Sequence, residues 1–184
     1  MKITAGKYKF KEIKSIKNKK LRPTSSKIRN AVFNILINRY EFIKCGEKGH
    51  LLDAFSGTGI IALEGFSRNI SQATLIESDS LIFQNLKENI KNFNLIKKVR
   101  LINSDFFNVK LAKNTYSIVY LDPPYLSNYN NLAIKKILDE KSLKKNAIIV
   151  SETIKNYEYA NDLCKHIKTI KQYRNTIITF FKFD

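Results

Sequence analysis

A chain of 184 residues with 43% hydrophobic side chains can bury one sizeable core, and its formal charge of +17 rests on 33 Lys and Arg against 16 Asp and Glu. No apolar run approaches the length of a bilayer and the lysine-punctuated start lacks a signal-peptide core, so membrane and secreted classes are excluded and the chain is expected in the cytoplasm. Cys45 and Cys164 stand far apart with no CxxC or Cys/His cluster, so neither a zinc site nor a disulfide framework is expected, and no metal is predicted.

The cation excess favours polyanions through counterion release, which makes nucleic acid the leading partner class. An AT-rich genome, which crowds Lys, Asn and Ile into any protein, accounts for part of the same count. Charge therefore supports an RNA or DNA partner without establishing one.

Residues 1–22 read as a basic hairpin. In Lys7-Tyr8-Lys9-Phe10-Lys11 the alternation predicts a strand with Tyr8 and Phe10 on one face and three lysines on the other, Gly6 supplying a turn or bulge. Lys14, Lys17, Lys19, Lys20 and Arg22 extend the charge, so the segment is expected to be a phosphate-binding arm preceding a domain over 23–184. Arg22-Pro23-Thr24-Ser25-Ser26 starts a helix, Pro23 and the hydroxyls supplying a turn and an N-cap, and Ile28, Ala31, Val32, Ile35 and Leu36 follow at helical spacing to about Tyr40. Arg29 falls off that apolar stripe and is predicted to be either a solvated charge or a group aimed at substrate phosphate.

His50 to Ile60 runs a strand straight into a glycine loop and a helix, the arrangement that brings a cofactor close to backbone at a helix N-terminus. Gly57-x-Gly59-x-x-Ala62 meets the loose dinucleotide fingerprint, so a nicotinamide enzyme has to be considered. Asp53 opposes that reading, since a carboxylate there repels a pyrophosphate and attracts an ammonium. The D-x-F-x-G-x-G form over Asp53, Phe55, Ser56, Gly57, Thr58 and Gly59 is the first motif of class I S-adenosylmethionine methyltransferases.

Downstream, Asn69 suits a left-handed helix cap and Ala73 to Ile76 form a second strand ending in Glu77, the expected partner of two ribose hydroxyls. Ile82, Leu86, Ile90 and Phe93 mark the next helix, and Val99 to Ile102 the third strand. Ser104, Asp105 and Phe106 follow it, Asp105 placed to accept from an adenine amino group and Phe106 to pack on the ring.

Tyr116 to Leu121 is a buried strand that ends abruptly in Asp122-Pro123-Pro124-Tyr125. The prolines hold the carbonyls of Asp122 and Pro123 rigidly outside any ladder, and Tyr125 offers a flat ring. A carboxylate, a fixed carbonyl and an aromatic face suit a planar base carrying an exocyclic amino group. This is the D/N-P-P-Y/F signature of methyltransferases acting on such groups. It does not separate guanine N2 from adenine N6 or cytosine N4, and a non-catalytic RNA-binding module remains a further alternative. A helix over Ala133 to Leu138 follows, then a fifth strand over Ala147 to Val150 followed by Ser151-Glu152. Lys165 to Lys171 and Thr176 to Phe183 make a closing antiparallel pair turning at Arg174-Asn175.

Over nearly its whole length the chain resembles the RsmD family of 16S ribosomal RNA guanine-N2 methyltransferases. The resemblance is carried by the basic start, Leu21-Arg22-Pro23-Thr24 with Arg29 and Phe33-Asn34, the Leu52 to Gly59 motif with Leu63-Glu64-Gly65-Phe66-Ser67-Arg68, Leu75-Ile76-Glu77, and the DPPY run. Ser56, Thr58 and Arg174-Asn175 depart from the family pattern, the last where relatives tend to carry glycine. The resemblance implies a Rossmann-like α/β fold with a seven-stranded class I methyltransferase sheet whose last strand is antiparallel. It also implies S-adenosyl-L-methionine as cofactor and 16S rRNA in a partly assembled small ribosomal subunit as partner. A monomer is expected.

Overall fold

The computed structural model describes residues 1–16, 24–40, 49–124 and 128–183. Cys45, Lys17, Lys19, Lys20, Arg22 and Tyr125, named above, lie outside the described residues.

Among the described residues, five α-helices and seven strands follow one another as α1 (Ser26–Asn38), β1 (His50–Asp53), α2 (Ile60–Ser67), β2 (Gln72–Glu77), α3 (Ser80–Asn92), β3 (Val99–Asn103), β4 (Tyr116–Leu121), α4 (Tyr129–Asp139), β5 (Leu143–Ile154), α5 (Asn161–Cys164), β6 (Ile167–Tyr173) and β7 (Thr176–Lys182). The strands form one sheet in the order β3-β2-β1-β4-β5-β7-β6. β1 to β5 pair in parallel, and β7 runs antiparallel between β5 and β6. This is the sheet that the resemblance implies. The order reverses at β1, so a cleft opens between the carboxyl ends of β1 and β4, where doubly wound sheets bind ligands.

Both faces of the sheet are covered, which is why its central strands read as continuous apolar runs. On one face Leu51, Leu75, Ile118, Tyr120 and Val150 pack with α1, α2 and α3; on the other Leu52, Ile76, Val119, Leu121 and Ile149 pack with α4 and Leu163 of α5. Side chains alternate along a strand, so Asp53, Glu77, Asp122 and Glu152 project at the carboxyl ends toward the α1 to α3 side.

Two sequence expectations are corrected. Residues 7–10 form turns rather than a strand: a single antiparallel bridge joins Lys2 to Glu12, Tyr8 packs edge-on against Phe93 at 5.2 Å, and Phe10 points away, 69% exposed. Gly6 dictates this, because its φ of 82° and an amide-to-carbonyl return from Lys9 to Gly6 fold the segment back before any alternation can develop. β5 extends past Val150 to Ile154, because β7 continues to pair with Glu152, Thr153 and Ile154 beyond Ser151, the last β4 partner. At the β6–β7 turn the left-handed residue is Arg174, with φ 55°.

Candidate active site

The glycine loop is built by local hydrogen bonding. Ser56 is buried, donates its hydroxyl to the carbonyl of Asp53 at 2.8 Å and its amide to Ile76, and accepts the amide of Gly59 on its carbonyl. Gly57 and Gly59 take φ of 52° and 79°, and a Cβ on Gly59 would stand 2.5 Å from Leu86, so the loop needs glycine for both its turn and its contact with α3. The carbonyl of buried Thr58 accepts from the Asn89 side chain at 3.0 Å.

Around this loop lies a cavity of about 880 Å³, a size suited to a cofactor plus part of a substrate. Asp53, Glu77, Ser104, Asp105, Phe106, Asp122, Pro123 and Pro124 all line it, as do Phe55 and the loop residues Ser56, Gly57 and Thr58. The first-motif residues, the second-strand acid and the DPP run thus share one wall system. Asp53 is buried and one of its carboxylate oxygens has no hydrogen-bond partner among the described residues. Burial, reinforced by Glu77, pushes its carboxyl up to about 7, with the Phe55 amide opposing. Glu77 accepts the amides of Gly57 at 3.0 Å and Asp79 at 2.8 Å; burial still raises its carboxyl above the usual range. A bonded carboxylate retains lone pairs for further donors.

No Lys or Arg among the described residues lines this cavity, whereas five acidic residues do: Asp53, Glu77, Asp79, Asp105 and Asp122. That electrostatic character rejects a pyrophosphate, so the dinucleotide reading of the glycine pattern fails here. An unpartnered buried carboxylate oxygen and an acidic wall fit a ligand bearing an ammonium and a sulfonium, as S-adenosylmethionine does. Phe106 is itself buried and packs at a tilt against Phe55, ring centroids 5.4 Å apart, so it forms the wall rather than an exposed face; the Asp105 carboxylate accepts the Phe107 amide at 2.8 Å.

Sequence reading passed over Tyr120 and Glu152. Tyr120 lines the cavity and donates its hydroxyl to buried Glu152 at 2.8 Å; burial and the nearby carboxylates of Glu152 and Asp122 raise its phenol well above the usual value. An acidic residue near the end of an apolar strand beside the DPP strand was the available signal. Tyr129, at the start of α4, also lines the cavity.

The residues expected to meet RNA divide. Lys7, Lys9 and Lys11 are exposed on the N-terminal turn; Lys11 donates to the Asn92 carbonyl at 3.0 Å and sits 4.2 Å over the Phe93 ring. Arg29 is not a solvated or phosphate-directed group. It is 3% exposed, donates to Glu64 at 3.0 Å and to the carbonyls of Thr24 and Lys2, and shares Glu64 with Arg68. The bend of the N-terminal segment over α1 and α2 removes from solvent a face that helical spacing alone leaves outside. Among the described residues no cluster of three or more His, Cys, Asp and Glu side chains could hold a metal, and no helix is long and apolar enough to cross a membrane.

The family model described as Conserved hypothetical protein 95 matches residues 1–182. "Ribosomal RNA small subunit methyltransferase D" of Buchnera aphidicola subsp. Baizongia pistaciae is 35% identical over 151 residues, covering 82% of this chain and 74% of that one. The protein of the same name from Escherichia coli K12 is 31% identical over 156 residues, covering 83% and 74%. Among solved structures, the yhhF protein of Escherichia coli superposes with a TM-score of 0.81 at 22% identity over 99% of this chain and 97% of that one. An RNA methyltransferase of Salinibacter ruber in complex with S-adenosyl-L-homocysteine gives 0.66 at 17% identity over 88% and 93%. These structural likenesses concern the fold.

Proposed function

This chain belongs to the Conserved hypothetical protein 95 family, the RsmD family of ribosomal RNA methyltransferases, and from that premise we propose that it methylates the exocyclic N2 of a guanine in 16S rRNA. Its cofactor is S-adenosyl-L-methionine, which supplies an electrophilic methyl group on a sulfonium. The observation that carries the reading is the convergence of Asp53, the glycine loop, Glu77 and Asp122-Pro123-Pro124 on one acidic cavity. In it Asp53 would hold the donor's ammonium, Glu77 its ribose hydroxyls, and Asp105 with Ser104 the adenine edge, with Phe55 and Phe106 as apolar wall. Ser56, Gly57, Thr58 and Gly59 set the backbone against which it lies.

The difficulty of the reaction lies in the guanine amino group, whose lone pair is delocalised into the ring. Asp122 and the Pro123 carbonyl each accept one N–H of N2, which turns the lone pair toward the methyl carbon. Transfer would form an N–C bond as the cofactor's S–C bond breaks, and the resulting cation would lose a proton to solvent, so no strong general base is needed. Pro124 stiffens the run, and Tyr125 stacks on a base taken out of its own stack. Lys7, Lys9, Lys11, Lys19, Lys20 and Arg22 form a basic arm, residues 1–22, that meets RNA phosphates beside the methyltransferase domain over 23–184. The enzyme acts as a monomer on a partly assembled small subunit.

The test is labelled-methyl incubation with naked 16S rRNA, small-subunit particles and duplex DNA, followed by nucleoside identification. N2-methylguanosine from rRNA or particles is expected; N6-methyladenosine or N4-methylcytidine overturns the base assignment. For Asp122, single-turnover transfer should fall about 100- to 1000-fold in Asp122→Ala, while Asp122→Asn, which keeps a carbonyl acceptor, retains measurable activity. Wild-type transfer by Asp122→Ala, with cofactor binding checked separately, removes Asp122 from the chemistry.

A further inference from the structure

Phe10 holds a strained conformation without burying its ring. Its φ of 68° lies in the left-handed region, where a bulky side chain is strained, and the amide bonds from Phe10 to Ile3 and from Lys11 to Tyr8 lock the turn there. Glycine or asparagine would suit that backbone better. The ring gains no burial in exchange, for it is 69% exposed. A lone exposed apolar side chain is ordinary; one held out at the expense of backbone strain is a candidate for contact with something else.

Its surroundings identify that contact. The ammonium of Lys9 lies 4.8 Å over the ring, and Lys7 and Lys11 stand on the same turn. Phe10 borders a groove of about 500 Å³ that also takes in Lys2 and the hydroxyls of Thr24 and Ser25. Met1 and Thr24 line both this groove and the catalytic cavity, so the two adjoin. An aromatic face for a base, cations for phosphates and a neighbouring reacting centre are the parts of a single-stranded nucleic acid subsite.

We infer that Phe10 is a stacking platform for an unpaired RNA base flanking the nucleotide that enters the catalytic cavity. The inference rests on the rRNA-methyltransferase reading for the identity of the polymer, and deepens it by assigning a second base-binding position. One ring buries too little area to anchor the protein on an anionic membrane, whereas it matches one nucleobase.

The experiment uses the whole chain and a single-stranded RNA of about a dozen nucleotides, within the span of such grooves, carrying 2-aminopurine at successive positions. Wild-type protein should quench the probe at one position. Phe10→Leu should abolish that quenching and weaken binding about 5- to 150-fold, the value of one base–aromatic stack, and Phe10→Trp should restore both. Phe10→Gly should lose RNA affinity while keeping or raising Tm, because glycine relieves the left-handed strain. Retained quenching and affinity in Phe10→Leu overturn the platform. So does a Tm of Phe10→Gly lowered by several degrees, which would make the ring a folding element, or loss in Phe10→Leu of binding to phosphatidylserine vesicles alone. Methyl transfer to rRNA measured in parallel separates the two readings: an inactive wild type that still shows the Phe10 stack sinks the rRNA reading and supports the platform, while full activity of Phe10→Leu at limiting RNA sinks the platform alone.

Discussion

Asp53 shows how burial at one residue links cofactor binding to pH. Its carboxyl, normally near 3.8, is pushed up to about 7 in the folded chain. Between those values the unfolded chain has released the proton and the folded chain keeps it, so raising pH favours unfolding and ligand-free stability falls from about pH 4 to about pH 7, then levels off. Asp53→Asn should therefore raise the Tm of the ligand-free protein at pH 8 and change it little at pH 4, which calorimetry reads directly. If Asp53 holds the cofactor's ammonium, as proposed, cofactor affinity has the opposite dependence, because only the ionised carboxylate attracts an ammonium. Affinity should climb as pH rises toward 7, approaching about tenfold per unit on the acid side, and Asp53→Asn should be weak and flat over the same range. A wild-type affinity that is level between pH 5.5 and about 7 would remove Asp53 from the ammonium site.

At the level of elements, the N-terminal segment is strapped down by the end of α2. Ser67 accepts the amides of Lys7 and Tyr8 at 2.9 Å each and donates its hydroxyl to Ala5, Glu64 accepts Thr4 and two buried arginines, and Asn89 of α3 exchanges hydrogen bonds with the backbone of Lys14. The Leu63 to Arg68 run that carries the family resemblance is thus the docking face of that segment. A Cβ on Gly6 would stand 1.9 Å from the Ser67 carbonyl at a φ already positive, so Gly6→Ala should cost about 2 to 4 kcal/mol. Glu64→Gln, which leaves Arg29 and Arg68 buried without their counter-charge, should cost about 3 to 5 kcal/mol. Chemical denaturation measures both; a loss below about 1 kcal/mol in each would show the strap to be loose. Sequence made the strands and helices legible because both faces of the sheet are apolar and the helices carry 3.6-residue stripes, and it placed Asp53, Glu77 and Asp122 because each ends a strand. It missed the buried role of Arg29 and the pairing of Tyr120 with Glu152, since both depend on partners 35 and 32 residues away whose approach no local period encodes.

Across the whole molecule, charge is segregated. A chain carrying +17 builds its cavity wall with five acidic residues and, among the described residues, no Lys or Arg, and displays lysines on the N-terminal turn, which rests on the carboxyl-terminal ends of α2 and α3. On the proposed function a cationic methyl donor is drawn to the interior while the lysine turn attracts RNA phosphates, so polymer and cofactor would not compete for the same field. The turn should then be separable from the cavity by salt. Replacing Lys7, Lys9 and Lys11 with Gln should flatten the dependence of log K on log salt for single-stranded RNA by about 0.7 for each phosphate that is no longer neutralised. Lys11 already donates to Asn92 and caps the Phe93 ring, so its share should be smaller than that of Lys7 or Lys9, placing the total nearer two phosphates than three. S-adenosylmethionine affinity should not change, because none of the three lines the cavity. The measurement is a salt titration of RNA binding for each single variant and for the triple variant. Equal slopes for wild type and triple variant would identify the turn as a solvated face and return its lysines to the AT-rich composition that fills the rest of the chain.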